Sequence, residues 1–571
     1  MIIGIDLGTT NSLAAVWADG RVQLVPNALG GYLTPSCVSL DDDGTVLTGQ
    51  AARERLQTHP DRTAALFKRS MGSDRHYTLG QRRFRSEELS ALILRSLKAD
   101  AEAMLGHPVD EAVISVPAYF SDGQRKATRI AGQLAGLKVE RLINEPTAAA
   151  LAYGLHQKQA ETQFLVFDLG GGTFDVSILE MFEGVMEVRA SAGDNFLGGE
   201  DFVGAIVDHF FRAAEVPETL RADGVFMQTL TARAEAAKRG LSERDGVRIA
   251  LRHGEHDYEV DLDQQRFREL AEPLLARLRA PVERALRDAR IRTADIDNVV
   301  LAGGATRSPM VRQLVTRMFG RFPATDLNPD EVVAAGAAVM AGLKMKDQAL
   351  DEVVMTDVCP YTLGIETVGR LPNGSEIDGQ FSAIIERNTV VPASRVKGYV
   401  PTREGQKALD LEIYQGEARL VRDNIHLGTL HVPLPRAARD DAGVDVRFTY
   451  DVNGLLEVEA TVRLTDTRHR LVIQGNAGVL DEAEIEARLA ALAALKIHPR
   501  DQAANRALTA AAERLFQQLL GDERDHLGQV IARFEAALES QDDRRIREAQ
   551  GALRAVMGAL EQDSYFAPDF S

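Results

Sequence analysis

The sequence contains very little cysteine. Its 571 residues include only Cys37 and Cys359, and neither has a His or Cys neighbour at the spacing of metal ligands. A disulfide framework needs several paired cysteines, and a zinc site needs a cluster of thiolate and imidazole groups. We therefore predict two unpaired thiols and a fold that depends on neither disulfides nor zinc.

Long apolar runs and an excess of positive charge are also missing. No stretch approaches the roughly 20 apolar residues that cross a bilayer, so membrane insertion is disfavoured. The 84 acidic and 66 basic residues give a net charge of −18, which repels a nucleic-acid backbone. Residues 1–6 read as a strand and not as a signal peptide. We expect a cytoplasmic protein that binds neither membranes nor nucleic acid.

Three kinds of pattern follow one another along the chain. First, apolar strand-like runs alternate with amphipathic helical runs, which is typical of an α/β fold. Next, apolar and polar residues alternate, with a turn at Asn453-Gly454, which predicts an antiparallel β-domain. Finally, Asp481 and Glu484 form a predicted helix cap, and helical spacing indicates a small bundle, broken near Pro499 and Gly521. The predicted divisions are 1–345, a linker at 346–358, 359–477 and 478–571.

Two glycine-containing turns in the first region are similar to each other. Each follows a strand and an Asp-Leu-Gly sequence, which suggests two related lobes. Consecutive N–H groups in such turns bind anions, and Asp6 and Asp168 beside them offer oxygen ligands suited to Mg²⁺. One such turn alone is as readily an ordinary turn, but two in matching contexts favour a triphosphate site. The phosphate-binding candidates are Gly8, Thr9, Thr10, Asn11, Gly170, Gly171, Gly172 and Thr173.

A third glycine-rich turn follows another strand and opens a helix. Its candidate residues are Gly303, Gly304, Ala305, Arg307 and Ser308. In a functional interpretation, the backbone approaches a nucleotide and Arg307 stacks on the base. A plain β-to-α turn with a solvated arginine fits these residues equally well, so both interpretations stay open at this point.

The motifs, taken in order, resemble those of the DnaK-type heat-shock protein 70 chaperones. The matching segments are the two phosphate turns, Val-Pro-Ala-Tyr-Phe at 116–120, Asn-Glu-Pro-Thr-Ala-Ala-Ala at 144–150, Asn-Pro-Asp-Glu at 328–331, and the stretches 363–367, 386–389 and 415–419. The resemblance covers nearly the whole chain. Within the family, the context of Phe67–Gly72 is most similar to the bacterial HscC subgroup.

The resemblance implies roles for residues around a bound nucleotide. Lys68 matches the lysine that orients the attacking water and stabilises charge on the γ-phosphate, and Asp175 adds to the carboxylates. The implied catalytic set is Lys68, Glu145, Asp168, Thr173 and Asp6. The implied adenosine-binding residues are Glu235, Lys238, Arg239, Ser242 and Asp330. On sequence alone, the charges at 235–239 are more typical of a solvated helix face.

The resemblance also implies how the β-domain binds peptide and how the parts communicate. The implied peptide-binding residues are Ile365, Val368, Tyr399, Leu409 and Leu411, although apolar residues of a β-domain are more often plain core. Pro117 and Arg125 match a relay between the nucleotide site and the linker. The linker at Val353–Thr356 is less apolar than in the family, so interdomain coupling is expected to be weaker or differently tuned.

The implied fold is an actin-like (duplicated ribonuclease-H-like) ATPase domain, an antiparallel β-sandwich and a helical lid. The implied function is an ATP-dependent chaperone that uses ATP, ADP and Mg²⁺ and binds unfolded client polypeptides with a J-domain co-chaperone. The stretch 72–87 is shorter than in the usual bacterial relatives, in which it helps to bind exchange factors. The need for an exchange factor therefore stays open. The alternatives are an actin-fold small-molecule kinase or filament former, and a scaffold in which ATP mainly locks a conformation.

Overall fold

The structure, a computed structural model, forms two compact units, Met1–Tyr361 and Thr362–Ser571. It describes residues 1–154, 161–182, 185–324, 327–350, 354–370, 376–439, 441–452, 454–474 and 498–562. Three features of the sequence analysis lie outside these ranges: the turn residue Asn453, the linker residue Val353, and the helix cap at Asp481 and Glu484.

The first unit mixes strands and helices along its length, as the alternating pattern predicts. Its strands are β1 (Ile2–Asp6), β2 (Asn11–Ala18), β3 (Arg21–Leu24), β4 (Thr34–Pro35), β5 (Cys37–Leu40), β6 (Val46–Thr48), β7 (Thr63–Ala65), β8 (His76–Leu79), β9 (Arg82–Arg85), β10 (Glu111–Val116), β11 (Lys138–Asn144), β12 (Glu161–Leu169), β13 (Phe174–Phe182), β14 (Val185–Asp194), β15 (Gly246–His253), β16 (His256–Asp263), β17 (Asn298–Ala302) and β18 (Val354–Val358). Its helices are α1 (Gln50–Thr58), α2 (Ser86–Leu105), α3 (Asp122–Leu134), α4 (Glu145–Gly154), α5 (Gly199–Ala213), α6 (Gly224–Gly240), α7 (Gln264–Arg277), α8 (Arg279–Ala289), α9 (Pro309–Phe319) and α10 (Val332–Lys344).

Two larger sheets of this unit share a local arrangement. One runs in the order β11-β10-β1-β2-β3, and the other runs β17-β12-β13-β14-β18. In each, a central strand pairs antiparallel with the strand that follows it and parallel with a distant one: β1 with β2 and β10, β12 with β13 and β17. Asp6 and Asp168 therefore occupy equivalent places, at the end of the central strand beside the turn.

Helix α4 contacts strands of both sheets, α10 contacts strands of the first sheet, and the two helices pack unusually close to each other. A Cβ built on Gly336 would lie 1.7 Å from the carbonyl oxygen of Ala148, so only glycine fits there. The residues of α4 are all buried. This packing fixes Glu145, the first residue of α4, at the place where the two sheets present their turns.

The second unit contains strands and then helices. Its strands are β19 (Leu363–Arg370), β20 (Glu376–Ile385), β21 (Val390–Val391), β22 (Ala393–Tyr399), β23 (Ala408–Gln415), β24 (Ile425–Pro433), β25 (Val444–Tyr450), β26 (Leu455–Val462) and β27 (Thr467–Gln474). Its described helices are α11 (Ala503–Gln518), α12 (Gly521–Ser540) and α13 (Asp543–Gln562). The predicted break near Pro499 falls just before α11, and the one near Gly521 falls at the first residue of α12.

Two four-stranded antiparallel sheets organise the strands of this unit, in the orders β20-β19-β23-β24 and β22-β25-β26-β27. The alternating residues Val444, Val446 and Phe448 are buried, as the period-two pattern predicts. The three helices share a separate apolar cluster that includes Leu527, Phe534 and Leu553.

The cysteines and the helices concern two of the sequence-based expectations. Cys37 and Cys359 are both buried, and they form no disulfide with each other. Among the described helices, none combines the length and apolar character needed to cross a bilayer.

Candidate functional site

The two predicted phosphate turns lie against each other. A Cβ built on Gly171 would lie 2.5 Å from Cγ2 of Thr10, and one built on Gly172 would lie 2.8 Å from Cγ2 of Thr9. Both distances are shorter than atoms can approach, so a side chain at either glycine would push the turns apart. The glycines thus let two backbone segments rich in N–H donors approach one anion.

Each turn is held in shape by hydrogen bonds from its surroundings. In the first, the hydroxyl of Ser36 donates to the carbonyl oxygen of Gly8 at 2.7 Å. In the second, the backbone N–H groups of Gly199 and Glu200, at the start of α5, donate to the carbonyl oxygens of Gly170 and Gly171, both at 2.9 Å. Because α5 holds these carbonyl groups, the orientation of the second turn is fixed.

Lys68 forms a buried ion pair with Glu145. Its Nζ lies 2.6 Å from Oε1 of Glu145, and only 4% of the lysine is exposed. The ammonium also lies 5.7 Å from the ring centroid of Phe120, a favourable cation–π distance. The ammonium of Lys68 is therefore held in place at the site by Glu145 and Phe120.

The acidic side chains around this pair repel one another. Burial, and then the charge of Glu145, raises the pKa of Asp6 to about 7 and that of Asp175 to about 8. The same causes raise the pKa of Asp168 well above its usual value. Hydrogen bonds to the carboxylates of Asp6 and Asp175 favour the charged form and so lower these two pKa values. The hydroxyl of Ser115 donates to Asp6 at 2.8 Å, and the N–H of Tyr119 donates to Asp175 at 3.2 Å. Lys68 therefore balances the negative charge of these carboxyl groups only in part.

The chemistry of this donor set fits Mg²⁺. A divalent cation would relieve the repulsion that raises the pKa values of Asp6 and Asp168. Within the described ranges, no three His, Cys, Asp or Glu side chains come close enough to hold a metal directly. Mg²⁺ commonly keeps several waters and uses one or two carboxylates, so this pair suits it.

The predicted adenosine helix reaches the second phosphate turn. On α6, Glu235 pairs with Lys238 at 2.6 Å and with Arg239 at 2.7 Å, as in an ordinary charged helix face. Lys238 also donates to the carbonyl oxygen of Gly199 at 3.2 Å. Ser242 follows the helix, is exposed, and donates its N–H to Arg239 O. Lys238 therefore joins α6 to the start of α5 and is not simply a solvated charge.

The third glycine-rich turn joins the same group. A Cβ on Gly199 would lie 3.3 Å from Cβ of Ala305, so this turn meets the start of α5. The guanidinium of Arg307 is held by Asp330 and Asn328, at 2.7 Å and 2.5 Å. Gly303 adopts φ 78°, a left-handed conformation that favours glycine, and Gly304 lies against Asp330, while Ser308 precedes α9. The structure therefore brings all four predicted nucleotide-binding segments together.

The predicted relay residues lie between the carboxylates and β18. Pro117 directly follows β10, and its carbonyl oxygen accepts from the N–H of Phe120 at 3.1 Å. Arg125 donates to the carbonyl oxygen of Ala118 at 3.0 Å and to Oδ1 of Asn144 at 2.7 Å. The amide of Asn144 in turn donates to both carboxylate oxygens of Asp357 at 3.0 Å.

The predicted peptide-binding residues occupy both sheets of the second unit. Ile365 on β19 lies opposite Ile413 and is buried, and on β23 Leu411 is buried and Leu409 half-buried. Val368 lies where the register of β19 shifts. Tyr399 ends β22, and its hydroxyl lies 3.1 Å from that of Ser382. Ile365 and Leu411 are therefore core residues of this unit.

One residue pair at the site was not predicted. Arg69 pairs with Asp201 at 2.5 Å, and its Nε would lie 2.7 Å from a Cβ on Gly172. Asp201 also accepts the N–H of Gly198 at the start of α5. Two signals could have found the pair: Arg69 directly follows Lys68, and Asp201 follows the Gly198-Gly199 doublet.

Comparison with known proteins gives matches over nearly the whole chain. A family model described as "Hsp70 protein" matches residues 2–81 and 75–566. The chain is 41% identical over 601 residues to "Chaperone protein dnaK3" of Thermosynechococcus vestitus, covering 97% of this chain and 86% of that protein. An isolated ATPase domain would not match through the second unit. The chain belongs to the Hsp70 family.

Proposed function

We propose that the protein is a molecular chaperone that hydrolyses ATP to ADP and phosphate and uses this cycle to bind and release apolar segments of unfolded proteins. The observation that carries the proposal is the buried Lys68–Glu145 pair beside two apposed glycine turns. This arrangement supplies a fixed cation and backbone donors where a triphosphate would need them.

The fixed charges have distinct roles in hydrolysis. Lys68 faces negative charge that grows on the γ-phosphate, and its buried pair leaves little reorganisation to make. Glu145, Asp175 and Thr173 orient the attacking water. Mg²⁺, when bound by Asp6 and Asp168, supplies neutralisation of phosphate charge.

The other segments hold the nucleotide. The turns at Gly8–Asn11 and Gly170–Thr173 bind phosphate oxygens, while Glu235, Lys238, Arg239 and Ser242 hold the adenosine. The third turn, from Gly303 to Ser308, contacts the base of the nucleotide, on which Arg307 stacks. Asp330 keeps the guanidinium of Arg307 in place.

The family's domain plan gives the parts their names. We assign an actin-like ATPase domain to 1–345, a linker to 346–358, a β-sandwich substrate-binding domain to 359–477 and a helical lid to 478–571. The repeated sheet arrangement of the first unit supports the duplicated ATPase fold. The pairing of β18 with β14 supports a linker able to dock on the ATPase sheet.

The binding partners follow from this plan. An extended client segment would pair through its backbone and place apolar side chains near Ile365, Val368, Tyr399, Leu409 and Leu411. A J-domain co-chaperone is the expected partner of the ATPase cycle, and an exchange factor stays an open question. We also retain the cytoplasmic location and the HscC-like subgroup as proposals.

The test is steady-state ATP hydrolysis by the full chain, with Mg²⁺, in the absence and presence of an apolar peptide. Hydrolysis that the peptide accelerates supports the proposal, because coupling between two sites is reciprocal. Phosphate transfer to a sugar, or nucleotide-dependent polymerisation, would instead support an actin-fold kinase or filament protein.

A further inference from the structure

Two consecutive residues are held by different units. Tyr361 ends the first unit, and its hydroxyl donates to the carbonyl oxygen of Tyr119 at 2.5 Å, with the two ring centroids 4.6 Å apart. Thr362 begins the second unit, where its N–H and hydroxyl donate to the carboxylate of Glu417 at 2.8 Å and 3.0 Å. Because Tyr361 and Thr362 are consecutive, no intervening residue can absorb a displacement. A displacement of Thr362 is therefore transmitted directly to Tyr361.

Tyr119 is in turn packed against the carboxylates of the site. Its N–H donates to Oδ1 of Asp175 at 3.2 Å, and its carbonyl oxygen also accepts from Asn195 at 2.8 Å. Its hydroxyl accepts from Arg284 at 2.8 Å. A Cβ on Gly193 would lie 2.7 Å from Oδ1 of Asp175 and 3.1 Å from Cβ of Tyr119, so there is no spare room. A shift of Tyr119 therefore displaces the donor that orients Asp175.

We infer that Tyr361 is a positioning residue for ATP hydrolysis, acting through Tyr119 on Asp175. This inference rests on the proposed function. Tyr361 is the side chain through which a displacement at the start of the second unit reaches the catalytic carboxylate of Asp175. The hydroxyl fixes the Tyr119 carbonyl, and with it the N–H that binds Asp175. Tyr361 contacts Tyr119 and not the phosphate turns, so it affects the rate of hydrolysis and leaves nucleotide affinity unchanged.

The test is Tyr361→Phe in the full chain, which keeps the ring and removes the hydroxyl. Single-turnover hydrolysis of prebound ATP is expected to slow about fivefold, the effect of one neutral hydrogen bond. The Kd for ATP and the Tm are expected to stay at native values. Tyr258→Phe, which alters a phenol on β16 of the same unit, is the matched control and should hydrolyse at the native rate.

The possible results separate this inference from the proposed function. If the native chain does not hydrolyse ATP, the proposed function fails and the inference fails with it. If the native chain hydrolyses ATP and Tyr361→Phe does so at the same rate, only the inference is overturned. It is also overturned if Tyr361→Phe weakens ATP binding as much as it slows hydrolysis, or if Tyr258→Phe is slowed equally, because either result indicates a general loss of structure.

Discussion

At the residue scale, Lys68 shows how burial and pairing fix a charge beside the two predicted phosphate turns. Its ammonium is buried against Glu145 at 2.6 Å. The attraction between the two charges at this distance offsets the cost of removing them from water. The sequence suggests both residues through their motifs. It cannot show that they meet, because 77 positions separate them and only the packing of α4 brings them together.

Lys68→Ala removes the fixed cation and is expected to slow ATP hydrolysis by about 100-fold or more, in line with the loss of an electrostatic transition-state contact. Nucleotide binding should persist, because the glycine turns remain. Single-turnover hydrolysis and the Kd for ATP measure the two effects. Lys98→Ala is the control, since Lys98 pairs with Glu102 at 4.0 Å and donates to the carbonyl oxygen of Gly136 at 2.9 Å, and neither partner is a proposed site residue. Equal losses in both variants would contradict the role of Lys68.

The raised carboxyl pKa values predict a pH dependence of stability. With a folded-state pKa of about 7 for Asp6 and about 8 for Asp175, against 3.8 unfolded, the folded protein holds protons that the unfolded chain releases between about pH 4 and 8. The free energy of unfolding contributed by these groups therefore falls as pH rises through that range.

Thermal unfolding of the nucleotide-free protein from pH 5 to 8 measures this dependence. Asp175→Asn should lose part of it, so that the variant gains stability relative to the native chain as pH rises. Mg²⁺ with ADP should stabilise the native chain most at the upper end, where the carboxylates are charged. A variant whose midpoint follows the native one across the whole range would show that Asp175 ionises normally.

At the scale of elements, the turns and helices depend on close backbone contacts that a single sequence reveals only in part. The glycine pattern identifies the turns at 8–11 and 170–173, and the alternation identifies the strands around them. The distance between the turns depends on both sheets and on α4 and α10. Similarly, the division of the strands of the second unit other than β21 into two sheets is set by cross-strand packing, which strand propensity does not determine.

Gly171→Ala is expected to separate the two phosphate turns. Its Cβ would lie 2.5 Å from Thr10, and overpacking of this kind costs about 1–3 kcal/mol. If that cost falls on the nucleotide-bound state, the Kd for ATP rises about 5- to 150-fold, which isothermal titration measures. Gly204→Ala, in α5 with nothing within 4 Å of the new atom, should bind ATP normally. An unchanged Kd for ATP in Gly171→Ala would mean that the two turns do not bind the phosphates together.

A second element-scale contact joins the helices of the second unit to its edge strand β22. The side-chain amide of Gln541 accepts from the N–H of Val396 at 3.1 Å and donates to its carbonyl oxygen at 2.9 Å. It thereby replaces the neighbouring strand that the edge lacks. Gln541 is 93% buried, since its exposed fraction is 7%, and its amide lies in the connection between α12 and α13.

Gln541→Ala would leave a peptide group of β22 without these bonds, at a cost of about 1–3 kcal/mol. Amide hydrogen exchange of residues 393–399 should accelerate about 5- to 150-fold where this contact protects them. Gln529→Ala changes an exposed glutamine on α12 and should leave the exchange unchanged. Native protection in Gln541→Ala would show that the helices do not shield this edge.

At the scale of the whole molecule, the sequence predicts more through resemblance than through pattern. Composition and periodicity indicate an α/β region, a β-domain and helices, and the ordered motifs add the family and its cycle. The division between units lies after Tyr361, just beyond the predicted linker at 346–358. The difference has a physical reason: β18 pairs with β14, so the chain through Val358 belongs to a sheet of the first unit. Backbone pairing of this kind is not visible in residue types.

The central claim is that nucleotide in the first unit controls peptide binding by the second. The most direct test is the release of a prebound fluorescent apolar peptide from the full chain after addition of ATP or ADP with Mg²⁺, for the native protein and Lys68→Ala. We predict fast release with ATP and slow release with ADP, and ATP-triggered release by Lys68→Ala although it fails to hydrolyse the nucleotide. Release at one rate regardless of nucleotide would contradict the claim and would indicate an uncoupled scaffold.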